Sequence, residues 1–204
     1  MPDITLVGRS SSHFTRTARM FALELGVPHG FQPVFDLTAL DRAVYADNPA
    51  LKVPILVDDH GPLFGTENIC RELVRRSDTA RMVVLRGDVR DRAVANAEEL
   101  TLHVMSSEVT LIMAKIVGES PPPKVVRSIE NSLGYLDEHV EAVLAALPAG
   151  RRLSFVEVTL FCLVTHLPFR QVMDVAPWAR LGAFCRRFGD RDSARATAYR
   201  FDQP

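Results

Sequence analysis

Up to Ser77 the apolar residues of this chain alternate between short strand-like runs and helical stripes, and beyond it they follow helical spacing alone; this switch constrains the fold more than any single motif. Residues 4–7 form an apolar run ended by Gly8, as a buried strand would be. Residues 14–25 place Ala18, Phe21, Ala22 and Leu25 on one stripe, with Gly26 following as a C-cap. Residues 31–37 predict a second strand, and Leu40, Val44 and Tyr45 a short helix before Asn48-Pro49. Residues 54–57 predict a third strand, 58–61 a hairpin turn, 62–64 a fourth strand, and 66–75 a helix with Ile69 and Leu73 inward.

After residue 77 the spacing predicts a charged linker over 78–88 and then helices over 91–117, 122–147, 154–167 and 177–188. The stripe of the first includes Ala97, Leu100, Thr101, Val104, Leu111 and Met113. The second starts at prolines, which are tolerated in a first turn where the N–H is unsatisfied anyway. The third is apolar all round and must be buried. Strands followed by helices imply an α+β chain with two domains, residues 1–77 and an all-helical 89–204.

Hydrophobic residues at 47% and charged residues at 24% exclude a disordered chain. A net charge of −1 gives no basic excess for nucleic acid or an anionic membrane surface. No run approaches the ~20 apolar residues of a membrane helix. The start Met1-Pro2-Asp3 is acidic and the first apolar run stops at Val7, so no signal peptide is expected. Cys70, Cys162 and Cys185 have neither metal-ligand nor redox-pair spacing, which predicts buried thiols in a reducing cytoplasm and no metal.

The segment Asn48-Pro49-Ala50-Leu51-Lys52-Val53-Pro54-Ile55-Leu56-Val57-Asp58-Asp59 stands apart. A proline opening a strand fits sheet geometry only at its first residue or at an edge. Val53-Pro54 is similar to the cis-proline loop of thioredoxin folds; an ordinary trans proline at a strand start is the alternative. The whole string, followed by Leu63-Phe64 and a helix, resembles the glutathione transferase superfamily, whose pattern is roughly N-P-x-x-K-V-P-x-L-x-D and then L-x-E-S-x-x-I. Farther on, Ser154-Phe155-Val156-Glu157 resembles that family's capping box on a buried helix, where Ser154 caps the third N–H and Glu157 reaches back. Pro177-Trp178-Ala179-Arg180-Leu181, Arg186, Ser193 and Thr197 resemble its last helix and tail. The resemblance implies a thioredoxin-like βαβαββα domain followed by an all-α helical-bundle domain, with glutathione as co-substrate, and a homodimer.

The resemblance also implies site residues. In the serine and cysteine classes the catalytic side chain starts the first helix, and counting back from Gly26 puts it at Ser12; Ser10 and Ser11 remain alternatives, and helix capping alone is another. Lowering a thiol pKa by about two units needs roughly 2.7 kcal/mol. A hydrogen bond to a charged group supplies ~1.5–3 kcal/mol and a helix N-terminus ~0.3–1 kcal/mol, so one hydroxyl there is of the right size. Val53 and Pro54 would offer backbone to the cysteinyl part of glutathione. Lys52 is a candidate for its glycyl carboxylate, or a solvated loop lysine. Gly65-Thr66 falls where the family has Glu-Ser; the alternative register puts Glu67-Asn68 there but shifts Ile69 off the core face. Thr66 can cap and meet a carboxylate; Gly65 cannot replace the Glu, and Glu67 either supplies that carboxylate or compensates the helix dipole. His13 is a wall near the sulfur or, as the simpler expectation, a solvent-facing first-turn residue. Met105, Glu108 and Ile112 either line an acceptor pocket or belong to the core.

Three functions are open at this point. A transferase would set the glutathione thiolate beside a small hydrophobic electrophile. The same site would also fit glutathione-dependent isomerisation, dehalogenation or peroxide reduction. A non-catalytic binding or assembly module is the third, favoured by the missing Glu.

Overall fold

The computed structural model describes residues 3–203, so the first two residues of the Met1-Pro2-Asp3 start lie outside it. The chain divides into two compact units, Met1–Val83 together with Arg191–Pro204, and Val84–Asp190. The segment after residue 190 therefore groups with the first unit, whereas the sequence reading places it with residues 89–204.

The first unit holds β1 (Thr5–Gly8), α1 (His13–Glu24), β2 (Gly30–Pro33), β3 (Ile55–Asp58), β4 (Gly61–Phe64) and α2 (Thr66–Arg75). The sheet order is β2-β1-β3-β4, with β1 parallel to β2 and antiparallel to β3, and β3 antiparallel to β4. This is a thioredoxin-like sheet. Val7 pairs with Ile55 and Leu6 with Leu56. Val7 and Ile55 join Val34 and Tyr45 in one apolar cluster. Leu6 and Leu56, one residue along, point to the opposite face by strand alternation and are fully buried.

β2 ends earlier than the apolar run predicts. Val34 still donates to Gly8, but Asp36 then accepts from both the amide and the hydroxyl of Thr38, and this local turn diverts the chain. The short helix predicted at Leu40 is a 3-10 turn, Arg42–Tyr45, capped by Asp41; Leu40 is 84% exposed and takes no part in the core.

The second unit contains α3 (Arg92–Val117), α4 (Pro123–Ala146), α5 (Phe155–Arg170) and α6 (Ala179–Gly189); α7 (Asp192–Ala196) belongs to the first unit and was not anticipated. Asp91 caps α3 through the amides of Ala93 and Val94, and Gly118 closes it in the left-handed region. Met113, expected on the inner stripe, is 48% exposed, while Met105 and Glu108 are buried. α3 does reach the length and apolarity of a membrane-crossing helix, with mean hydropathy 1.4 over its best window, which corrects the sequence expectation. In this fold it packs along α4 and α5. α5 is buried on nearly every side, as its uniform apolarity predicts, and where it meets α6 the rings of Phe161 and Phe184 each pack tilted against that of Phe188. Cys70 and Cys162 are buried, Cys185 is half-buried, and none forms a disulfide.

The start of α5 differs in detail from a capping box. Ser154 Oγ accepts from Glu157 N at 3.2 Å and donates to the Glu157 carboxylate at 2.5 Å, and that carboxylate takes both arms of Arg151 at 2.8 Å. Glu157 thus anchors the preceding loop through a guanidinium. Replacing fully buried Ser154 by Ala should lower unfolding stability by about 1–2 kcal/mol, because a cap and a carboxylate donor are lost together; urea denaturation measures it.

At the other end of the first sheet, Arg75 and Arg76 converge on Glu72, and Arg76 also donates to Asp58. The bonds from Arg75 first, then Arg76, outweigh burial and hold the Glu72 carboxyl down at about 2. A depressed carboxyl stabilises the fold above its unfolded pKa of about 4.3 and stops doing so as pH falls through the folded value. Wild type should exceed Glu72→Gln by about 1 kcal/mol at pH 6, discounted for solvent screening, and the gap should close between pH 4 and pH 2. A gap that persists at pH 2 would contradict the assignment.

Candidate functional site

The register of the first sheet gathers three backbone features at one end. β1 runs out at Gly8 toward α1. Because Val7 lies opposite Ile55, the residues before β3, Val53 and Pro54, lie level with the exit of β1. Because Ile55 lies opposite Phe64, Gly65 and the start of α2 lie beside them.

The turn from β1 into α1 is tightly specified. A side chain on Gly8 would meet the Thr15 side chain at 2.5 Å, so only glycine lets α1 approach the strand. Arg9 N donates to Thr15 Oγ1 at 3.3 Å, and Ser12 N to Arg9 O at 3.0 Å. Ser12 is the N-cap of α1, in extended conformation, its Oγ accepting from Thr15 N at 3.2 Å. Capping uses a lone pair of the hydroxyl. The O–H proton stays available, and among the described residues nothing accepts it. Capping and donation are therefore compatible roles for one serine, although the sequence presents them as alternatives. A hydroxyl at a helix N-terminus can donate to an anion that the helix dipole also favours.

Its neighbours are occupied otherwise. Ser11 is buried. Ser10 is buried, its Oγ accepting from Arg19 Nη1 at 3.3 Å and its amide donating to Asp202 at 2.7 Å. His13, the first helical residue, is 2% exposed with its ring 4.4 Å from that of Phe14, which overturns the solvent-facing expectation. The apolar residues of α1 and the helix's 3.6-residue turn rotate position 13 inward once Ser12 is the cap.

The Val53–Pro54 peptide is cis. The loop before it hangs on Asn48, which is 5% exposed: its Nδ2 donates to Lys52 O at 2.7 Å and its Oδ1 accepts from Ala50 N at 3.0 Å. Within that loop Leu51 is held at φ +51°, a conformation costly for a bulky residue. The Lys52 side chain is exposed. The sequence marks Asn48 only as part of a motif; its signal was an amide, able both to donate and to accept, directly before Pro49.

At α2 the cap position is Gly65, at φ +89°, and the helix has no side-chain cap. Thr66, expected as cap, is the first helical residue. The first-turn amides of α2 are thus left by side chains to whatever approaches them. Ile69 and Leu73 are fully buried. Glu67 pairs with Arg71 at 2.9 Å along the helix.

In the helical unit Met105 and Glu108 are fully buried and Ile112 is half-buried. Glu108 Oε1 lies 2.7 Å from His166 Nδ1 on α5. Burial pushes the Glu108 carboxyl up, with His166 opposing.

A family model described as the N-terminal domain of glutathione S-transferase matches residues 6–81. Among solved structures the chain is similar to a glutathione S-transferase from Methylobacillus flagellatus KT with glutathione bound, at 21% identity over 97% of this chain and 100% of that one, with a TM-score of 0.77. It is similar to a glutathione transferase family member from Pseudomonas fluorescens Pf-5 with bound glutathione, at 21% identity over 97% and 99%, TM-score 0.77. A glutathione S-transferase from Methylobacterium radiotolerans JCM 2831 in complex with glutathione sulfonate gives 18% identity over 98% and 96%, TM-score 0.75. No curated protein matches the chain.

Asn48→Ala should cost about 2–3 kcal/mol, from two side-chain bonds lost in a buried loop, and should raise amide exchange across residues 49–53. Stability within 0.5 kcal/mol of wild type in that variant would show that the loop is held by something else.

Proposed function

We propose that the chain is a serine-type glutathione transferase; the family model matching residues 6–81 and the likeness of its fold to glutathione transferases along its length support this. Ser12 donates its O–H to the glutathione sulfur, lowers the thiol pKa and presents the thiolate to a small hydrophobic electrophile. The observation that carries this reading is the Ser12 hydroxyl, held as N-cap by accepting from Thr15 N while its proton is uncommitted. The cysteinyl part pairs with the Val53 backbone ahead of Pro54, as an added strand would. The γ-glutamyl carboxylate takes the first-turn amides of α2 with the Thr66 hydroxyl, Glu67 meets its amine, and Lys52 meets the glycyl carboxylate. Ser11 lines the turn beside Ser12. His13, Met105 and Glu108 do not enter the reading as pocket residues, because all three are buried and Glu108 is bonded to His166. We carry a homodimer and a cytoplasmic setting as parts of the same proposal.

A binding module without catalysis is the second reading, and Gly65 favours it. At φ +89° an L-residue such as Glu is strained, so the acidic partner of the family pattern is absent from the place it usually occupies.

Immobilised glutathione should retain the protein if the transferase reading holds, and clean flow-through at moderate ionic strength would leave the module reading standing. Turnover of a model electrophile separates them. Ser12→Ala should lower kcat/KM about 10- to 100-fold at neutral pH and move the acidic limb of the pH–rate profile up by about 1–2 units, as expected for one hydrogen bond to a charged sulfur. Ser12→Asp keeps the cap without the donor and should be as inactive as the alanine variant while as stable as wild type. An unmoved pH profile in Ser12→Ala would remove Ser12 from the role.

A further inference from the structure

The segment after residue 190 returns along α1 in regular antiparallel order. Glu24, in the last turn of α1, accepts from Ser193 Oγ at 2.6 Å and from Arg191 Nη1 at 3.0 Å. Arg16, in the middle and 6% exposed, donates to Ala194 O at 3.0 Å and Thr197 Oγ1 at 3.4 Å, with its guanidinium 4.3 Å from the centre of the Tyr199 ring. At the start of α1 the segment reaches Ser10, whose amide donates to Asp202 Oδ2 at 2.7 Å. Three successive contacts thus span the helix, about 18 Å at 1.5 Å per residue, and end on the turn that carries Ser12.

We propose that Asp202 is a positioning residue for the Ser10–Ser12 turn and that the segment delivering it is a strap on which the geometry of the thiol-activating hydroxyl depends. The proposal rests on the reading of Ser12 given above.

Amide bonds from Arg9, Ser10 and Ser12 hold the turn between β1 and α1. Two of them, from Arg9 N to Thr15 and from Ser12 N to Arg9, are local. The third, from Ser10 N, goes to a residue far along the chain. Ser10 is 2% exposed, so without Asp202 its amide would be buried with no acceptor, and the turn would have to open to water to satisfy it. The Asp202 carboxylate is itself 7% exposed. It lies among guanidinium groups: Arg200 Nε is 3.7 Å away, and Arg19, which donates to Ser10 Oγ and stacks 4.3 Å from the Phe31 ring, is close by. Burial first, and then the like charges of Arg200 and Arg16, depress the Arg19 pKa, while Asp202 opposes them. Asp202 therefore does two things at one position: it accepts the amide bond of the turn and offsets positive charge packed behind it.

The test compares Asp202→Ala with Asp202→Asn in the full chain. Hydrogen exchange of the peptide over residues 8–13 needs no ligand; it should quicken about tenfold or more in Asp202→Ala and about threefold or less in Asp202→Asn, which keeps an acceptor. The ultraviolet absorbance of glutathione thiolate, titrated with pH on the protein, should shift its midpoint up by about half a unit or more in Asp202→Ala. Unchanged exchange at 8–13, or an increase spread evenly over the whole chain, would overturn the strap. Faster exchange with an unmoved thiolate midpoint would overturn the positioning role. If wild type itself gives no thiolate signal while Asp202→Ala opens the turn, the Ser12 reading fails and the strap on the turn is supported.

Discussion

In the antiparallel pairing of β1 with β3, Val7 lies opposite Ile55, and this register arranges the whole candidate site. It sets Val53-Pro54 beside the exit of β1, and the next ladder, Ile55 with Phe64, brings the start of α2 alongside. A slip of one residue would turn Leu6 and Val7 to the wrong faces, so the register is held by burial on both sides of the sheet. The serine turn, the proline loop and the open helix end are neighbours because the same register buries both faces of the sheet.

Each part of the site also has its own local support. Gly8 admits Thr15, Thr15 receives Arg9 N and gives its amide to Ser12, and Ser12 keeps its proton. Asn48 holds the loop that keeps Leu51 left-handed. At α2 a glycine with positive φ stands where the family pattern has a glutamate, and the helix start is left without a side-chain cap. Hydroxyls and backbone amides, with few charged side chains, make up the candidate site, and Arg16, Arg19 and Arg191 lie along α1 and the returning segment.

Helical and strand spacing made most of the elements legible. The two strands of the hairpin, α2 with Ile69 and Leu73 inward, the Ser154 cap and the buried α5 all follow from residue types a few positions apart. Where spacing misled, a local competitor decided. Asp36 bonded to Thr38 shortened β2, and Asp41 turned an expected helix at Leu40 into a 3-10 turn. Of the site, the motif around Val53-Pro54 and the position of Ser12 could be read, because both are tied to the ends of predicted elements. The burial of His13, the cap at Gly65 and the pairing of Glu108 with His166 could not, because each depends on a rotation or a partner that linear spacing leaves open.

Sequence by itself determined the class of the fold, the order of its elements and the run of serines that starts α1, since these depend on periodicity and on caps within a few residues of one another. Tertiary structure alone decided which of three consecutive serines caps α1. It did so by giving Ser10 to Arg19 and Asp202 and making Ser12 the cap. A contact between Ser10 and Asp202 leaves no periodic trace, because a hydrogen bond across nearly the whole chain is specified by the packing of the returning segment on α1 and by nothing near either residue.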